Sequence, residues 1–222
     1  MEKPDEKDFS VFHPLRKGKR NLFLILMSII LSQNTSDRNA IRALSRIEEI
    51  GLVDPESVLK AGYEKLFDAV SISGLGKAKA ESILSLASLL KEDPKFLERV
   101  CEKGERGREE LLKLRGIGKK TADVFLLVGC GVPSFPVDRH IARVTERIVG
   151  KKMRYDEISS FWRSALPEEK LVEYHLKLIS IGRKICRPRN PKCEECPLNE
   201  YCAWWRERGG RGSKGNIGDD EG

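Results

Sequence analysis

Hydrophobic residues recur at helical spacing along most of the chain. Between Ile83 and Leu90 the apolar side chains fall at i, i+3, i+4 and i+7, which forms one face of a helix. Stretches that begin at Ile158 and Leu171 repeat the pattern, and no segment shows the sustained alternation of a strand. The pattern therefore predicts an all-α fold. His175 lies on the apolar face of the last stretch, where a histidine with a satisfied hydrogen bond is expected rather than a metal ligand.

The apolar run from Leu22 to Leu31 follows a basic cluster at residues 16–20, which is the order of a secretory signal. No small-residue cleavage site follows the run, and a membrane span needs about 20 apolar residues. We therefore expect a buried helix in an intracellular protein of the cytoplasm or nucleoid. The residues after Arg208 have nothing apolar to bury and are predicted to be a disordered tail.

The chain is basic. Its 222 residues include 41 Lys and Arg against 34 Asp and Glu, which gives a formal charge of +7 and a pI near 9.1. Such a surplus favours a polyanionic partner or an acidic surface, although many basic proteins bind neither. Charge alone leaves nucleic-acid binding open.

A short motif occurs twice, as Gly74-Leu75-Gly76 and as Gly116-Ile117-Gly118, each between two helical patterns. The glycines permit positive φ and close approach, so the turn and the next helix can direct N–H groups at one anion. The apolar residue between the glycines can anchor the turn in the core. The motif predicts sequence-independent DNA phosphate binding, with an ordinary hairpin that binds no ligand as the alternative.

Four of the six cysteines lie within seventeen positions and have the spacing Cys-x6-Cys-x2-Cys-x5-Cys. Four thiolates in one compact loop can close around an iron–sulfur cluster, whereas structural zinc usually takes two tight pairs that are far apart. The spacing favours iron and sulfur over zinc, with the ligands Cys186, Cys193, Cys196 and Cys202. Cys101 and Cys130 are predicted to be small core residues.

The loop after the first of these cysteines is basic. Residues 177–192 contain six basic residues and no acidic residue. Part of this charge would offset a negative cluster, and Arg187, Arg189 and Lys192 are expected to contact the DNA backbone. The alternative is a solvated basic loop without a ligand.

These motifs together resemble the endonuclease III family of helix-hairpin-helix DNA glycosylases. Residues 114–122 are similar to its hairpin with a catalytic lysine, residues 137–144 to its segment with a catalytic aspartate, and the cysteine spacing matches as well. The resemblance implies two helical domains with DNA in the cleft between them. Residues 22–133 would form the six-helix domain, residues 1–21 and 134–208 the cluster domain, and residues 209–222 the tail.

The resemblance assigns Lys120 as the nucleophile and Asp138 as its acidic partner. Ala78 stands at the position of Lys120 in the first copy of the motif, so phosphate binding alone does not require a lysine there. Lys120 lies in the first turn of its helix, where the helix dipole and the charge of Lys119 oppose a positive charge. The alternatives are a phosphate contact for Lys120 and a helix N-cap for Asp138, which a carboxylate can provide while it also acts in catalysis.

The implied activity is that of a bifunctional DNA glycosylase and abasic-site lyase of base excision repair. It would excise oxidised pyrimidines from duplex DNA and cleave the abasic site by β-elimination through a Schiff base. The hairpin residues Gly116, Gly118 and Lys119 would bind DNA, and Gln33 or Asn34 would fill the gap that the flipped base leaves.

The predicted protein is a monomer that carries one [4Fe-4S] cluster, binds double-stranded DNA with damaged bases or abasic sites, and binds no membrane. Two alternatives remain. One is a monofunctional mismatch or uracil/thymine DNA glycosylase, which would have no use for Lys120 as a nucleophile. The other is a non-catalytic DNA-binding module, which would need neither Lys120 nor Asp138.

Overall fold

The computed structural model describes residues 9–17 and 20–209. Within these ranges the chain forms α-helices and short 3₁₀ turns and contains no strand, so the predicted all-α fold is confirmed. The eleven α-helices of these ranges are α1 (Leu22–Ser32), α2 (Asp37–Glu49), α3 (Pro55–Val70), α4 (Gly76–Glu92), α5 (Phe96–Glu102), α6 (Gly107–Leu112), α7 (Lys119–Val124), α8 (Arg139–Val149), α9 (Tyr155–Ala165), α10 (Leu171–Lys184) and α11 (Ala203–Arg206).

Two clusters of buried side chains organise these helices. The first draws on residues 23–126, which include α1 except its first residue and all of α2 to α7. The second combines Phe9 and Phe12 with buried side chains between Leu127 and Ile181. The clusters meet in a π-helix, Phe125–Cys130, that continues α7 without a break. The predicted domain limits stay a prediction, and residues 210–222 of the predicted tail lie outside the described residues.

Helix α1 is buried almost throughout, as its apolar sequence predicts. Asn21 caps its N-terminus by accepting a hydrogen bond from the Leu24 N–H at 3.0 Å. None of the helices in the described ranges is long and apolar enough to cross a membrane.

The two glycine-rich turns differ in their central residue. Ile117 is buried and anchors the second turn, as expected. Leu75 is 58% exposed and has a positive φ of 52°, so the prediction that it anchors the first turn in the core is wrong. In the second turn, Gly116 has a φ of 75° and lies so close to Ser82 of α4 that a Cβ atom would stand 2.2 Å from the serine Oγ. The second turn therefore packs against the helix that follows the first.

Lys79 of α4, three residues after the first glycine turn, points into the core. Its side chain is 1% exposed, and Nζ donates hydrogen bonds to the Leu31 and Ser73 carbonyls at 2.7 Å each and to Ser73 Oγ at 3.2 Å. The lysine thus joins the C-terminus of α1 to the turn before α4. Burial lowers the pKa of Lys79 to about 8.

Cys101 of α5 and Cys130 at the end of the π-helix form a disulfide bond. The prediction that they are separate core residues is therefore wrong. Because they lie 29 positions apart, sequence spacing gave no sign of the pair. The bond joins two segments of the first cluster directly before the connection to Asp138.

The buried lysine predicts a specific pH dependence of stability. The folded protein releases the Lys79 proton near pH 8, whereas the unfolded chain keeps it up to its ordinary pKa of 10.5. Raising the pH through this window therefore favours the folded state, by at most about 1.4 kcal/mol per pH unit. Urea unfolding should show the stability of the wild type rising relative to Lys79→Met between pH 8 and pH 10. Lys77→Met, at an exposed position, is the matched control, and a difference that stays flat with pH contradicts the prediction.

Candidate active site and cluster loop

One cavity of about 1000 Å³ lies between the two clusters. It is at the upper end of the size range of ligand sites, which runs from about 300 to 1000 Å³. Its walls come from α1, the second glycine turn, α7, the first turn of α8 and α10. Six residues that the sequence predicted for the site line it together: Gln33, Asn34, Gly116, Gly118, Lys120 and Asp138.

Lys120 reaches the cavity from the first turn of α7. Gly118 directly before this helix is extended, with a φ of −97°, and a Cβ atom there would meet nothing within 4 Å. The positive φ expected for the glycines therefore holds for Gly116 and not for Gly118, which instead leaves open space at the start of α7. Such space beside free N–H groups is suited to an anion.

Gln33 holds the glycine turn in place. Its Nε2 donates hydrogen bonds to the Gly116 carbonyl at 2.9 Å and to Thr121 Oγ1 at 3.0 Å. Asn34 beside it lines the cavity with a positive φ of 52°. The amide of Gln33 is thus already occupied within the protein, which leaves Asn34 as the better placed of the two residues to enter DNA.

Asp138 is the N-cap of α8. One carboxylate oxygen, Oδ1, accepts hydrogen bonds from the His140 and Ile141 N–H groups, both at 2.8 Å. The first turn of α8 approaches α10 so closely that a Cβ on Gly182 would lie 2.7 Å from the His140 Cβ. The cap leaves Oδ2 of Asp138 without a hydrogen bond to the described residues, so this oxygen is available to the cavity.

Two histidines near Asp138 are neutral at physiological pH. Burial lowers the pKa of His175 to about 4 and also lowers the pKa of His140. His175 lines the cavity and is buried, as expected for a core histidine, and it forms a hydrogen bond with the Pro136 carbonyl. Its Nδ1 has no hydrogen-bond partner among the described residues. With neutral imidazoles around it, the negative charge of Asp138 is not offset by a histidine.

Lys119, next to Lys120, is held away from the cavity. Its Nζ forms an ion pair with Asp156 at 2.5 Å and lies 5.7 Å from the centre of the Tyr155 ring. The carboxylate of Asp156 offsets the charge that was expected to act on Lys120. The predicted DNA contact of Lys119 would require this ion pair to open.

Ion pairs also neutralise half of the basic run at residues 177–192. Lys177 pairs with Glu173, Arg183 with Asp37, and Lys192 with Glu195 at 2.9 Å. Of the three loop residues predicted to contact DNA, Arg187 donates to the Lys184 carbonyl at 3.2 Å, and Arg189 is exposed without an ion pair in the described ranges. None of the three lines the cavity.

The four clustered cysteines are free thiols and half-buried. Burial, followed by the nearness of Cys186 and Cys202, raises the pKa of Cys193, and burial raises the pKa of Cys196. Four thiolates this close together repel one another, and a cationic iron–sulfur core would remove that repulsion. In the described ranges no three such side chains converge on a single-ion site. A four-iron cluster does not require that convergence, because each of its cysteines binds a different iron. The donor set fits the cluster.

Arg147 ties the cysteine loop to α8. Its Nη1 donates to the Arg187 carbonyl at 2.8 Å and contacts Cys186 Sγ at 3.3 Å, and its Nη2 donates to the Pro188 carbonyl at 3.1 Å. The cluster loop is therefore fixed to the same helix that Asp138 caps. Sequence spacing gave no indication of this role for Arg147.

Comparisons with known proteins agree with this arrangement. Residues 27–168 match the profile of the HhH-GPD superfamily base excision DNA repair proteins, and residues 186–202 match the iron–sulfur binding domain of endonuclease III. The chain is 35% identical to endonuclease III of Sulfolobus acidocaldarius over 206 residues, which cover 91% of each chain. The protein belongs to the endonuclease III family. Endonuclease III of Thermotoga maritima is 37% identical over 88% of this chain and 89% of its own.

Solved structures show the same fold. A trapped endonuclease III–DNA covalent intermediate superposes with a TM-score of 0.71 and 30% identity, and covers 86% of this chain and 87% of its own. A thermostable thymine-DNA glycosylase has a TM-score of 0.76 at 24% identity, covering 91% and 90%. Shape alone therefore does not separate a bifunctional enzyme from a thymine-DNA glycosylase.

Membership of the endonuclease III family indicates which of these two activities the protein has. This endonuclease III family member is a DNA glycosylase and abasic-site lyase of base excision repair, and it carries one [4Fe-4S] cluster, as the sequence predicted. When bound, the cluster would join Cys186, Cys193, Cys196 and Cys202 and hold their loop in place. The cluster loop and the cavity are separate sites joined through α8.

Serine substitutions test which cysteines bind the cluster. Anaerobically purified wild-type protein should contain about four irons and four sulfides per chain. Each change among Cys186→Ser, Cys193→Ser, Cys196→Ser and Cys202→Ser should lower both contents, because serine is a poor ligand for iron–sulfur clusters. Cys101→Ser is the control and should leave them unchanged. Stoichiometric zinc without sulfide in the wild type would contradict the assignment.

Proposed function

We propose that Lys120 is the nucleophile and Asp138 its acidic partner in the removal of oxidised pyrimidines from duplex DNA. The single observation that carries this proposal is that both side chains, from different helical clusters, line one cavity large enough for a flipped nucleotide. A protein that only bound phosphate would not need both a lysine and an aspartate in the lining of such a cavity.

In this mechanism Lys120 attacks C1′ of the flipped nucleotide and displaces the damaged base. The attack requires a neutral amine. The ionised carboxylate of Asp138 stabilises the positive charge that develops on the sugar as the base leaves. Once the bond between the Lys120 nitrogen and C1′ has formed, Asp138 can take a proton from that nitrogen through the carboxylate oxygen that its cap leaves free. The resulting Schiff base on Lys120 then undergoes β-elimination, which cuts the strand on the 3′ side of the abasic site.

The other predicted residues are assigned to DNA binding. The N–H groups around Gly116 and Gly118 would contact a backbone phosphate, and Asn34, which lines the cavity with a positive φ, would enter the gap left by the flipped base. Arg189 would contact the backbone from the cluster loop. A related endonuclease III has been solved as a DNA covalent intermediate, which supports binding of this kind. A DNA substrate would place the protein at the nucleoid, where we expect it to act as a monomer.

The thymine-DNA glycosylase alternative draws support only from fold similarity. An enzyme of that monofunctional kind uses water in place of a lysine and forms no imine. The presence of Lys120 in the cavity favours the bifunctional mechanism, and the preference for oxidised pyrimidines comes from the family resemblance.

Two substitutions separate chemistry from binding. Lys120→Gln keeps a long polar side chain and should bind a lesion duplex, yet lose borohydride trapping and strand cleavage. Asp138→Asn keeps an oxygen for the helix cap and removes the charge, so base release should slow by about 100-fold or more. Both are measured under single-turnover conditions on a duplex with one oxidised pyrimidine.

Ala78→Lys is a control for the lysine, because it places an amine after the first glycine turn instead of the second. It should not restore trapping to Lys120→Gln. Trapping of Lys120→Gln at the wild-type rate would show that another amine is the nucleophile. Unchanged excision by Asp138→Asn, with lowered thermal stability, would leave Asp138 only its capping role.

Arg187 donates to the Lys184 carbonyl and Lys192 pairs with Glu195, so Arg189 is the basic residue of this loop that is best placed to contact DNA. Arg189→Ala should weaken binding to all duplexes alike and shallow the log–log salt dependence by about 0.9. Lys192→Ala should change both less, because Glu195 already neutralises Lys192. An affinity loss confined to one lesion, or an equal loss for both variants, would contradict this assignment.

A further inference from the structure

Lys120 and Asp138 belong to different helical clusters, and something must fix their relative position. The helix of Lys120 buries Ala122 and Val124 in the first cluster, whereas α8, which Asp138 caps, buries Ile141 and Val144 in the second. Residues 131–138 join the π-helix to α8 without regular structure. Apolar packing on its own does not set the distance between the two side chains.

A hydroxyl group bridges this junction. Tyr155 Oη donates to Asp123 Oδ2 at 2.6 Å and accepts from the Val137 N–H at 3.2 Å. Asp123 follows Lys120 by three residues on α7, and Val137 directly precedes Asp138. A chain of two hydrogen bonds therefore runs from the helix of the lysine to the backbone of the aspartate. We call it the Tyr155 relay.

The Asp123 end of the relay is held rigidly. Asp123 is 2% exposed, and Arg108 of α6 grips its carboxylate through Nε at 2.6 Å and Nη2 at 3.1 Å. A bidentate pair of this kind fixes a carboxylate in direction as well as position. Arg108 also reaches Asp156, the neighbour of Tyr155, at 3.3 Å. The carboxylate of Asp123 can therefore move only together with α6, α7 and α9.

The direction of the relay is fixed by its chemistry. An ionised carboxylate only accepts hydrogen bonds, and a backbone N–H only donates them, so the tyrosine hydroxyl must donate to one and accept from the other. Burial raises the pKa of Tyr155, so the hydroxyl keeps the proton that it donates. A phenylalanine would leave the Val137 N–H and one carboxylate site without a partner.

From this geometry we propose that Tyr155 is a positioning residue for the reaction, which aligns Asp138 with Lys120 through Val137. The proposal rests on the roles assigned to Lys120 and Asp138 above. Tyr155 does not line the cavity, so it acts on the chemistry and not on the substrate. Misplacement by about 1 Å is enough to slow a reaction about 100-fold.

Tyr155→Phe tests the proposal, because it removes only the hydroxyl. The affinity for a lesion duplex should stay within about twofold, whereas single-turnover base release at saturating enzyme should slow by about 10- to 100-fold. In the free protein, hydrogen exchange of the Val137 amide should become faster, since that N–H loses its partner. Exchange reports on the relay without any reference to activity.

Trp162→Phe is the matched control, because it removes another buried hydrogen bond of the second cluster, from Trp162 Nε1 to Thr145 Oγ1 at 2.7 Å. It should lower stability similarly while base release by the folded protein stays at the wild-type rate. Asp123→Asn keeps only one acceptor oxygen for the Arg108 and Tyr155 donors, so it should slow base release and speed exchange of the Val137 amide in the same direction as Tyr155→Phe. This second variant keeps the test decisive if Tyr155→Phe does not fold.

Two results would overturn the relay. Unchanged exchange of Val137 in Tyr155→Phe would show that the bond does not hold the backbone, and faster exchange with wild-type base release would show that the bond does not position Asp138. Failure of the proposed function is distinguishable, because it would appear as trapping and cleavage by Lys120→Gln whatever the result for Tyr155.

Discussion

A buried carboxylate must find hydrogen-bond donors, and Asp123 finds its donors on two other helices. Arg108 comes from α6 of the first cluster and Tyr155 from α9 of the second cluster. The Asp123 carboxylate near the end of α7 therefore links the two clusters. Apolar packing within each of the two clusters is not directional, so it does not by itself fix how polar side chains of the two clusters meet. The directional bonds at Asp123 fix this arrangement, and the cavity wall that carries Asp138 follows from them.

The features that the sequence predicted well are local. The helical periodicity, the cap at Asp138 and the cysteine spacing each depend on residues a few positions apart, so their physical cause is visible in the chain itself. The placement of Lys120 and Asp138 on one cavity came from family resemblance. The relay through Tyr155, which joins residues 18 and 32 positions apart, had no local sign.

The wrong predictions share one cause. Leu75 is exposed and Cys101 bonds to Cys130, and each outcome depends on what another part of the chain places nearby. Charge shows the same limit. The run at residues 177–192 contains no acid in sequence, yet acids from α10, α2 and the cluster loop neutralise Lys177, Arg183 and Lys192. The basic surface that remains for DNA is smaller than a count of residues indicates.

The central claim is that the cavity selects Lys120, and not its neighbour Lys119, as the nucleophile. Lys119 also follows the second glycine turn, but its ion pair with Asp156 holds its side chain away from the cavity. The most direct measurement is tandem mass spectrometry of the borohydride-reduced protein–DNA adduct after digestion, which locates the residue that carries the sugar. We predict the modification on Lys120. A sugar on Lys119, or spread over several amines, would contradict the account.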